Sequence, residues 1–89
     1  MGNGKLSVKI KLFASLREEL GESEFIFEST DDGHDVASIK RQLFNRGSIW
    51  KDALSQPNLV HALNHKVVVS NVAVHDGDEL AFFPPMTGG

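Results

Sequence analysis

The chain has no cysteine among its 89 residues. This absence excludes disulfide bonds, thiolate metal ligands and thiol nucleophiles, and it is compatible with a reducing, cytoplasmic location. Catalysis through a paired serine, histidine and aspartate is not indicated either, because no spacing in the sequence supports such a set. Covalent chemistry by a side-chain nucleophile is therefore not expected.

Long apolar runs and clusters of positive charge are also missing. No stretch approaches the roughly 20 apolar residues that a membrane helix needs, so we expect a soluble protein that is not exported and has no membrane partner. The net charge is -3, from 9 basic and 12 acidic residues. No window combines lysine and arginine with aromatic residues as a nucleic-acid site requires, so we expect no nucleic-acid partner.

The length of the chain fits one compact domain, since 89 residues with 40% hydrophobic content leave no room for a second core. A domain of this size rarely builds a deep cleft, so chemistry is expected at an edge, a loop or a terminus. This favours a carrier or a binding module over a self-contained enzyme.

The first half of the chain shows two strand patterns and one long helix pattern. Residues 6–12 alternate apolar and polar, and residues 24–28 are rich in aromatic and β-branched side chains. Between them, residues 15–21 predict a short helical turn that ends on glycine. From Asp35 the apolar positions have helical spacing, with Asp35 as the predicted cap and Gly47 as the predicted end.

The second half predicts short elements. Trp50, Ala53 and Leu54 suggest a brief helical turn before Pro57. Residues 59–63 and 67–69 are β-prone and flank a turn at 64–66, and a tight turn at 76–78 leads into a last strand at 79–83. This order predicts an α+β fold, a mixed sheet with one main helix packed on one face, for which the β-grasp fold of ubiquitin is the natural candidate. We predict a β-grasp domain over 1–83 and an extended, flexible tail over 84–89.

The tail has the sequence PPMTGG, and no side chain from Ala81 onward is charged. The two prolines predict a stiff, extended stem, and six residues at about 3.3 Å each reach roughly 20 Å, enough to enter a pocket of another protein. Gly88 and Gly89 lack Cβ atoms and can thread a narrow channel. A terminal Gly-Gly taken alone is equally consistent with a frayed end.

A carboxylate at Gly89 would have a pKa of about 3.3 to 3.7 and would be inert as an electrophile at neutral pH. It would need activation as an acyl-adenylate by a separate enzyme that uses ATP, because no phosphate-binding loop occurs in this chain.

Two stretches resemble one family. Residues 76–89, DGDELAFFPPMTGG, look like the C-terminal signature of the MoaD family, the small sulfur carrier subunits of molybdopterin synthase within the MoaD/ThiS ubiquitin-like superfamily. Residues 12–18, LFASLRE, resemble the first strand and turn of the same family. The resemblance implies the β-grasp fold and a role in molybdenum cofactor biosynthesis.

The resemblance also implies a reaction cycle in which the chain is not a catalyst by itself. A MoeB-like adenylating enzyme would activate Gly89, a sulfur donor protein would convert it to a thiocarboxylate, and the tail would enter a MoaE-like large subunit. The sulfur would then pass to the pyranopterin precursor. This implies Gly88 and Gly89 as the reactive end, no cofactor bound by this chain, and ATP used by the activating partner. Because the chain has no cysteine, it cannot carry the sulfur on a side-chain thiol.

Several residues are candidates for binding the partner. Strand alternation places Phe83 on the face opposite Leu80, and Phe13 could extend the same apolar patch, although Phe13 could equally belong to the core. Arg17 matches an arginine of the family, but a lone arginine in a Glu-rich turn is more often a solvated charge. The predicted partner-binding residues are Phe13, Arg17, Phe83, Pro84, Pro85, Met86 and Thr87.

Other features have simpler explanations. Asp76 and Asp78 could steer docking, but turn formation alone explains them. His61 and His65 flank a predicted strand without a third ligand at suitable spacing, so no metal site is predicted. Three rival functions stay open: a sulfur carrier for thiamine or tRNA thiolation, a ubiquitin-like protein modifier, and a binding module with an inert tail.

Overall fold

The computed structural model describes residues 6–30 and 34–84. The strands are β1 (Leu6–Leu12), β2 (Glu24–Ser29), β3 (His34–Asp35), β4 (Val60–Leu63), β5 (Lys66–Val68), β6 (Ala73–Val74) and β7 (Glu79–Phe83). The helices are α1 (Ser15–Leu20), α2 (Val36–Phe44) and α3 (Ser48–Leu54). None of the helices in these ranges has the length and apolar character needed to cross a membrane.

The main sheet is mixed and has the strand order β2-β1-β7-β4-β5. β1 pairs antiparallel with β2 and parallel with β7, and β7 pairs antiparallel with β4. The first and last strands of the described chain are therefore neighbours in the middle of the sheet. An antiparallel hairpin followed by a crossing helix and a parallel central strand is the β-grasp arrangement, which confirms the fold predicted from the sequence.

One face of the sheet forms the hydrophobic core with the helices. The apolar side chains of β1 alternate with polar ones and are almost completely buried, as is Phe82 of β7. They pack against a set of buried residues from the three helices: Leu16, Val36, Ile39, Leu43, Trp50, Ala53 and Leu54. Each fully buried aliphatic or aromatic side chain contributes about 1.5–3 kcal/mol of transfer free energy, so this face is what stabilises the fold.

The start of α2 is fixed by a capping box. The Asp35 carboxylate accepts a hydrogen bond from the Ser38 amide at 2.8 Å, and the Ser38 hydroxyl accepts one from the Asp35 amide at 3.1 Å. Asn71 joins this network by donating to the Asp35 carboxylate at 3.0 Å. The hydrogen bond from the Ser38 amide, followed by that from Asn71, lowers the pKa of Asp35 below 3.8. The cap predicted at Asp35 is confirmed.

The end predicted for α2 at Gly47 was wrong. The helix ends at Phe44, with Asn45 as its right-handed C-cap. Gly47 instead precedes α3 with a φ of 145°, a value suited to glycine. α3 is longer than the brief turn that we predicted, and the three apolar residues that suggested it, Trp50, Ala53 and Leu54, are all buried.

Two further differences concern short strands. β3 and β6 pair with each other in a separate two-stranded sheet that the sequence did not indicate. The turn between β4 and β5 contains only Asn64 and His65, both at positive φ, because Lys66 already pairs with Leu63. Val69 lies beyond the end of β5.

Candidate functional site

The side chains that alternate with the core residues form a second, open face of the sheet. Ile26 of β2 and Val67 of β5 project on this face and are 52% and 60% exposed. Lys9 lies between Ile26 and Glu79 in the register of the three strands. The centre of the open face is therefore mixed in character, and its apolar part lies towards the ends of β1 and β7.

Two phenylalanine rings stack where β1 and β7 end. The parallel register places Leu12 opposite Phe82, and the amide of the next residue, Phe13, donates a hydrogen bond to the carbonyl of Phe82 at 3.2 Å. The rings of Phe13 and Phe83 are parallel within 4°, with centroids 4.7 Å apart. Phe13 is 37% exposed and Phe83 is half-buried. The structure thus places both residues on one surface, as the strand pattern suggested.

An apolar patch extends from this pair across the open face. Val60 is opposite Phe83, and Ala62 is opposite Ala81, and both alanines are buried. Val67 is opposite Ala62 in the next strand. We call the set Phe13, Val60, Ala62, Val67, Ala81 and Phe83 the apolar patch.

The sequence pattern did not indicate Val60, Ala62 and Val67 as members of this patch. Their place depends on the register of β4 against β7 and of β5 against β4. The alternation of residues within each strand was visible in the sequence, but the partner of each residue was not. A turn of two residues between β4 and β5, had it been recognised, would have fixed the second register.

Arg17 lies in α1, close in sequence to the aromatic pair. Its amide donates to the carbonyl of Ala14 at 3.1 Å, and its own carbonyl accepts from Gly21 at 2.9 Å. The residue is exposed, and no carboxylate in residues 6–30 or 34–84 forms an ion pair with its side chain. Its guanidinium group is thus available to a partner, and its predicted role in partner binding remains a prediction.

The described chain ends one residue beyond the last strand. Pro84 is half-buried and follows Phe83 directly, so the chain leaves the sheet beside the aromatic pair. The other predicted tail residues, Pro85, Met86, Thr87, Gly88 and Gly89, lie outside the described residues. Their predicted roles, and the boundary between domain and tail at residue 84, remain predictions.

The acidic turn at 76–78 has a structural role. The Asp76 carboxylate accepts a hydrogen bond from the Ser7 amide at 2.7 Å. The Asp78 carboxylate accepts from the His75 amide at 2.8 Å and from the Asn64 side chain at 3.0 Å. These bonds tie β1 and the β4–β5 turn to the beginning of β7, at the end of that strand away from Phe83. The interpretation of the two aspartates as turn residues is confirmed.

The histidines of the second half do not converge on one point. His61 Nε2 lies 3.0 Å from the carbonyl oxygen of Ser70, whereas His65 Nε2 lies 3.5 Å from a carboxylate oxygen of Glu79. Across residues 6–30 and 34–84, histidine and acidic side chains form no group of three that could hold a metal ion.

Comparison with known proteins gives both a family and relatives. The model of the ThiS family matches residues 10–89. The chain is similar to a protein of Haemophilus influenzae named molybdopterin synthase sulfur carrier subunit, with 35% identity over 92% of this chain and 99% of that protein. A protein of Escherichia coli with the same name is 34% identical over the same shares of the two chains.

Solved structures give the same fold. The solution structure of the Haloferax volcanii HVO 2177 protein has a TM-score of 0.80 and 26% identity, and the match covers 97% of this chain and 89% of that one. The crystal structure of SAMP1 from the same organism, a small archaeal modifier protein, has a TM-score of 0.74 and 27% identity. That match covers 93% of this chain and 99% of that one.

Proposed function

The chain belongs to the ThiS family, and from this membership we propose that it is the sulfur carrier subunit of a molybdopterin synthase. Support comes from two relatives with that name, which match nearly from end to end at 34% and 35% identity. Support also comes from the structure, in which the strand that leads into the Gly-Gly tail ends at Phe83, which is half-buried and stacks on the exposed Phe13. This last observation carries the proposal, because a carrier needs a docking surface beside its reactive end.

The proposed cycle uses the carboxylate of Gly89. A MoeB-like enzyme joins this carboxylate to the AMP moiety of ATP and releases pyrophosphate. A sulfur donor protein then supplies sulfur at the oxidation level of sulfide; this sulfur attacks the acyl carbon and displaces AMP, which leaves a thiocarboxylate at Gly89. A thiocarboxylate is a softer and better nucleophile than a carboxylate, so its sulfur can attack the pyranopterin precursor of the molybdenum cofactor. Water then cleaves the resulting thioester, which leaves the sulfur on the precursor and a carboxylate at Gly89. In this scheme the chain itself binds no cofactor and ATP is used by the activating enzyme, with the whole cycle in the cytoplasm.

The partner in the last step is the large, MoaE-like subunit, which supplies the acid, base and anion-binding groups of the active site. The apolar patch provides the contact area, and Phe13 and Phe83 are its aromatic anchors. The stem of Pro84, Pro85, Met86 and Thr87 carries Gly88 and Gly89 into the partner. Arg17, which has no acidic partner among the described residues, pairs with a carboxylate or a carbonyl of the large subunit.

A second candidate is a protein modifier that joins its last glycine to lysine side chains. The similarity to SAMP1, whose name is that of a modifier protein, favours this candidate. It uses the same activated carboxylate and differs only in the group that attacks it. A carrier for thiamine or tRNA thiolation also shares the chemistry, but the relatives from Haemophilus influenzae and Escherichia coli have the molybdopterin synthase name.

Intact mass spectrometry separates these functions. The protein is incubated with a MoeB-like enzyme, ATP and a sulfur source, and is then treated with iodoacetamide. Replacement of one oxygen by sulfur has nearly the same nominal mass change as oxidation of a methionine, and the chain has 2 methionines. Alkylation removes this ambiguity, because the chain has no cysteine and only a thiocarboxylate would be alkylated rapidly at neutral pH.

The expected result is one alkylated thiocarboxylate per chain and sulfur transfer to the precursor in the presence of the large subunit. Conjugates to lysine without sulfur would show a modifier, and an unchanged mass would show an inert tail. As a control, a chain that lacks Gly89 should unfold at the same temperature and lose sulfur transfer completely. Transfer by that variant would refute the proposed chemistry.

A further inference from the structure

The turn between β1 and α1 holds an alanine in a conformation that L-amino acids rarely adopt. Ala14 has φ 55° and ψ -131°, and the Leu16 amide donates a hydrogen bond to the carbonyl of Phe13 at 3.1 Å. These are the features of the first central position of a type II′ turn, with ideal angles of about +60° and -120°. Glycine adopts these angles without strain, whereas the Cβ of an L-residue clashes with the neighbouring backbone.

Within residues 6–30 and 34–84, only two other non-glycine residues have positive φ, and their situation differs. Asn64 and His65 have φ of 52° and 72° in the hairpin turn between β4 and β5. Asparagine and histidine are enriched at positive φ, and Asn64 forms hydrogen bonds with Asp78 and Glu79. Ala14 has no polar side chain that could compensate in this way, so its conformation must be imposed by its neighbours.

Both sides of Ala14 are anchored. On one side, Phe13 is held by the hydrogen bond from its amide to Phe82 and by the stacked ring of Phe83. On the other side, Leu16 is completely buried in the core. Relaxed angles at Ala14 would move either Phe13 away from Phe83 or Leu16 out of the core. The anchors therefore exclude the relaxed conformations.

The conformations that residue 14 can adopt at positive φ then determine how much the turn can move. For alanine this region is narrow, and for glycine it is broad. We propose that Ala14 is a positioning residue, whose Cβ confines the turn so that Phe13 is held against Phe83 in the geometry that the large subunit binds. This inference rests on the proposed function for the identity of the partner. The strained conformation of Ala14 lowers the stability of the fold, but it also lowers the entropy cost of ordering Phe13 when the large subunit binds.

The test compares three chains: the native protein, Ala14→Gly, and a chemically synthesised chain with D-alanine at position 14. D-alanine is relaxed at these angles, because they are the mirror image of a polyproline-like conformation, and it keeps a Cβ. We expect D-alanine to raise the unfolding temperature by roughly 4 °C or more. Its affinity for the isolated large subunit of molybdopterin synthase should equal that of the native chain.

Ala14→Gly should also unfold no lower than the native chain, but it should bind the large subunit about three- to tenfold more weakly, because Phe13 must be ordered on binding. His65→Gly is the matched control: it relaxes a positive φ next to Glu79, at the far end of β7, and should leave the affinity unchanged. Equal affinity of the Ala14→Gly and native chains would overturn the inference. So would a loss of affinity with D-alanine as large as that with glycine.

A measurement on the free protein separates this inference from the proposed function. NMR relaxation should give a lower order parameter for the Phe13 amide in Ala14→Gly than in the native and D-alanine chains. If the native chain does not bind the large subunit, the proposed function fails, and the order parameters still decide whether Ala14 confines Phe13. If the native chain binds and the order parameters are the same in all three chains, only the inference about Ala14 fails.

Discussion

Strand β7 presents two adjacent phenylalanines to opposite faces of the sheet. Phe82 is completely buried and packs with the helices, whereas Phe83 is half-buried and stacks on Phe13 at the open face. Strand alternation alone separates their environments. The same residue type therefore stabilises the fold on one side of the strand and is available to a partner on the other side. Stability and binding should therefore respond to different substitutions.

The largest expected effect is on the core side. Phe82→Ala should lower the free energy of unfolding by about 3–5 kcal/mol, because it leaves a cavity among fully buried residues. A domain of this size has a total stability of roughly 5–15 kcal/mol, so the variant should lose a large share of it. Urea unfolding followed by circular dichroism measures the loss.

The matched change on the other side is Phe83→Ala. It should lower the free energy of unfolding by at most about 1.5 kcal/mol, the order of an aromatic pair. Its affinity for the large subunit should fall by about 2 kcal/mol, or roughly 30-fold, as for a central aromatic anchor. Isothermal titration calorimetry measures the affinity. A loss of stability as large as that of Phe82→Ala would show that Phe83 also belongs to the core.

A smaller effect is expected for the charge of Arg17 on α1. Arg17→Ala should lower the affinity for the large subunit about three- to tenfold at low ionic strength, mainly through slower association, and the difference should shrink as salt is added. Arg41→Ala, an exposed arginine on α2, is the control and should have no such effect. Stopped-flow binding at two salt concentrations measures the rates. If the two variants behave alike, Arg17 is only a solvated charge.

The smallest effect concerns a position that belongs to neither face. The pKa of Asp35 is lowered in the folded state, first by the hydrogen bond from the Ser38 amide, so its carboxylate stabilises the fold above its unfolded pKa. This contribution should be lost as the pH falls below 3.8 and through the lower pKa of the folded state. Asp35→Asn keeps a capping side chain and should flatten the pH dependence without changing the affinity for the large subunit. Urea unfolding between neutral and acidic pH measures the difference.

The sequence predicted the strands and helices that are long enough for their apolar residues to show the period of a strand or of a helix. β1 alternates over seven residues, and α2 has apolar residues at helical spacing after a capping aspartate. β3 and β6 have two residues each, too few for a period, and they exist because tertiary structure brings His34 beside Val74. The prediction for Gly47 was wrong because a glycine with positive φ can also precede the start of a helix, as Gly47 precedes α3. The amides of residues 45–47 each donate to the carbonyl three residues earlier, so these residues form turns after the end of α2.

The same distinction applies to the site. Phe83 could be assigned to the open face because it ends a strand with a readable alternation, whereas the sequence left Phe13, one residue beyond β1, equally compatible with the core. The place of Val67 depends on which residue of β4 it faces, and the sequence of a single strand does not determine its register against a neighbouring strand. Nothing in the sequence indicated positive φ at Ala14, because alanine normally avoids it. Both features follow from contacts between segments that are far apart in sequence.

The central place of β7 has a mechanical consequence. β7 is hydrogen-bonded to β1 on one side and to β4 on the other, and its chain continues directly into Pro84. A pull on the residues that follow runs along the strand and across the hydrogen bonds of both ladders, so these bonds are loaded together in shear instead of being unzipped one after another. If the C-terminal residues are held tightly by another protein, pulling them out would therefore disrupt the interface between the two proteins before it pulled β7 out of the sheet.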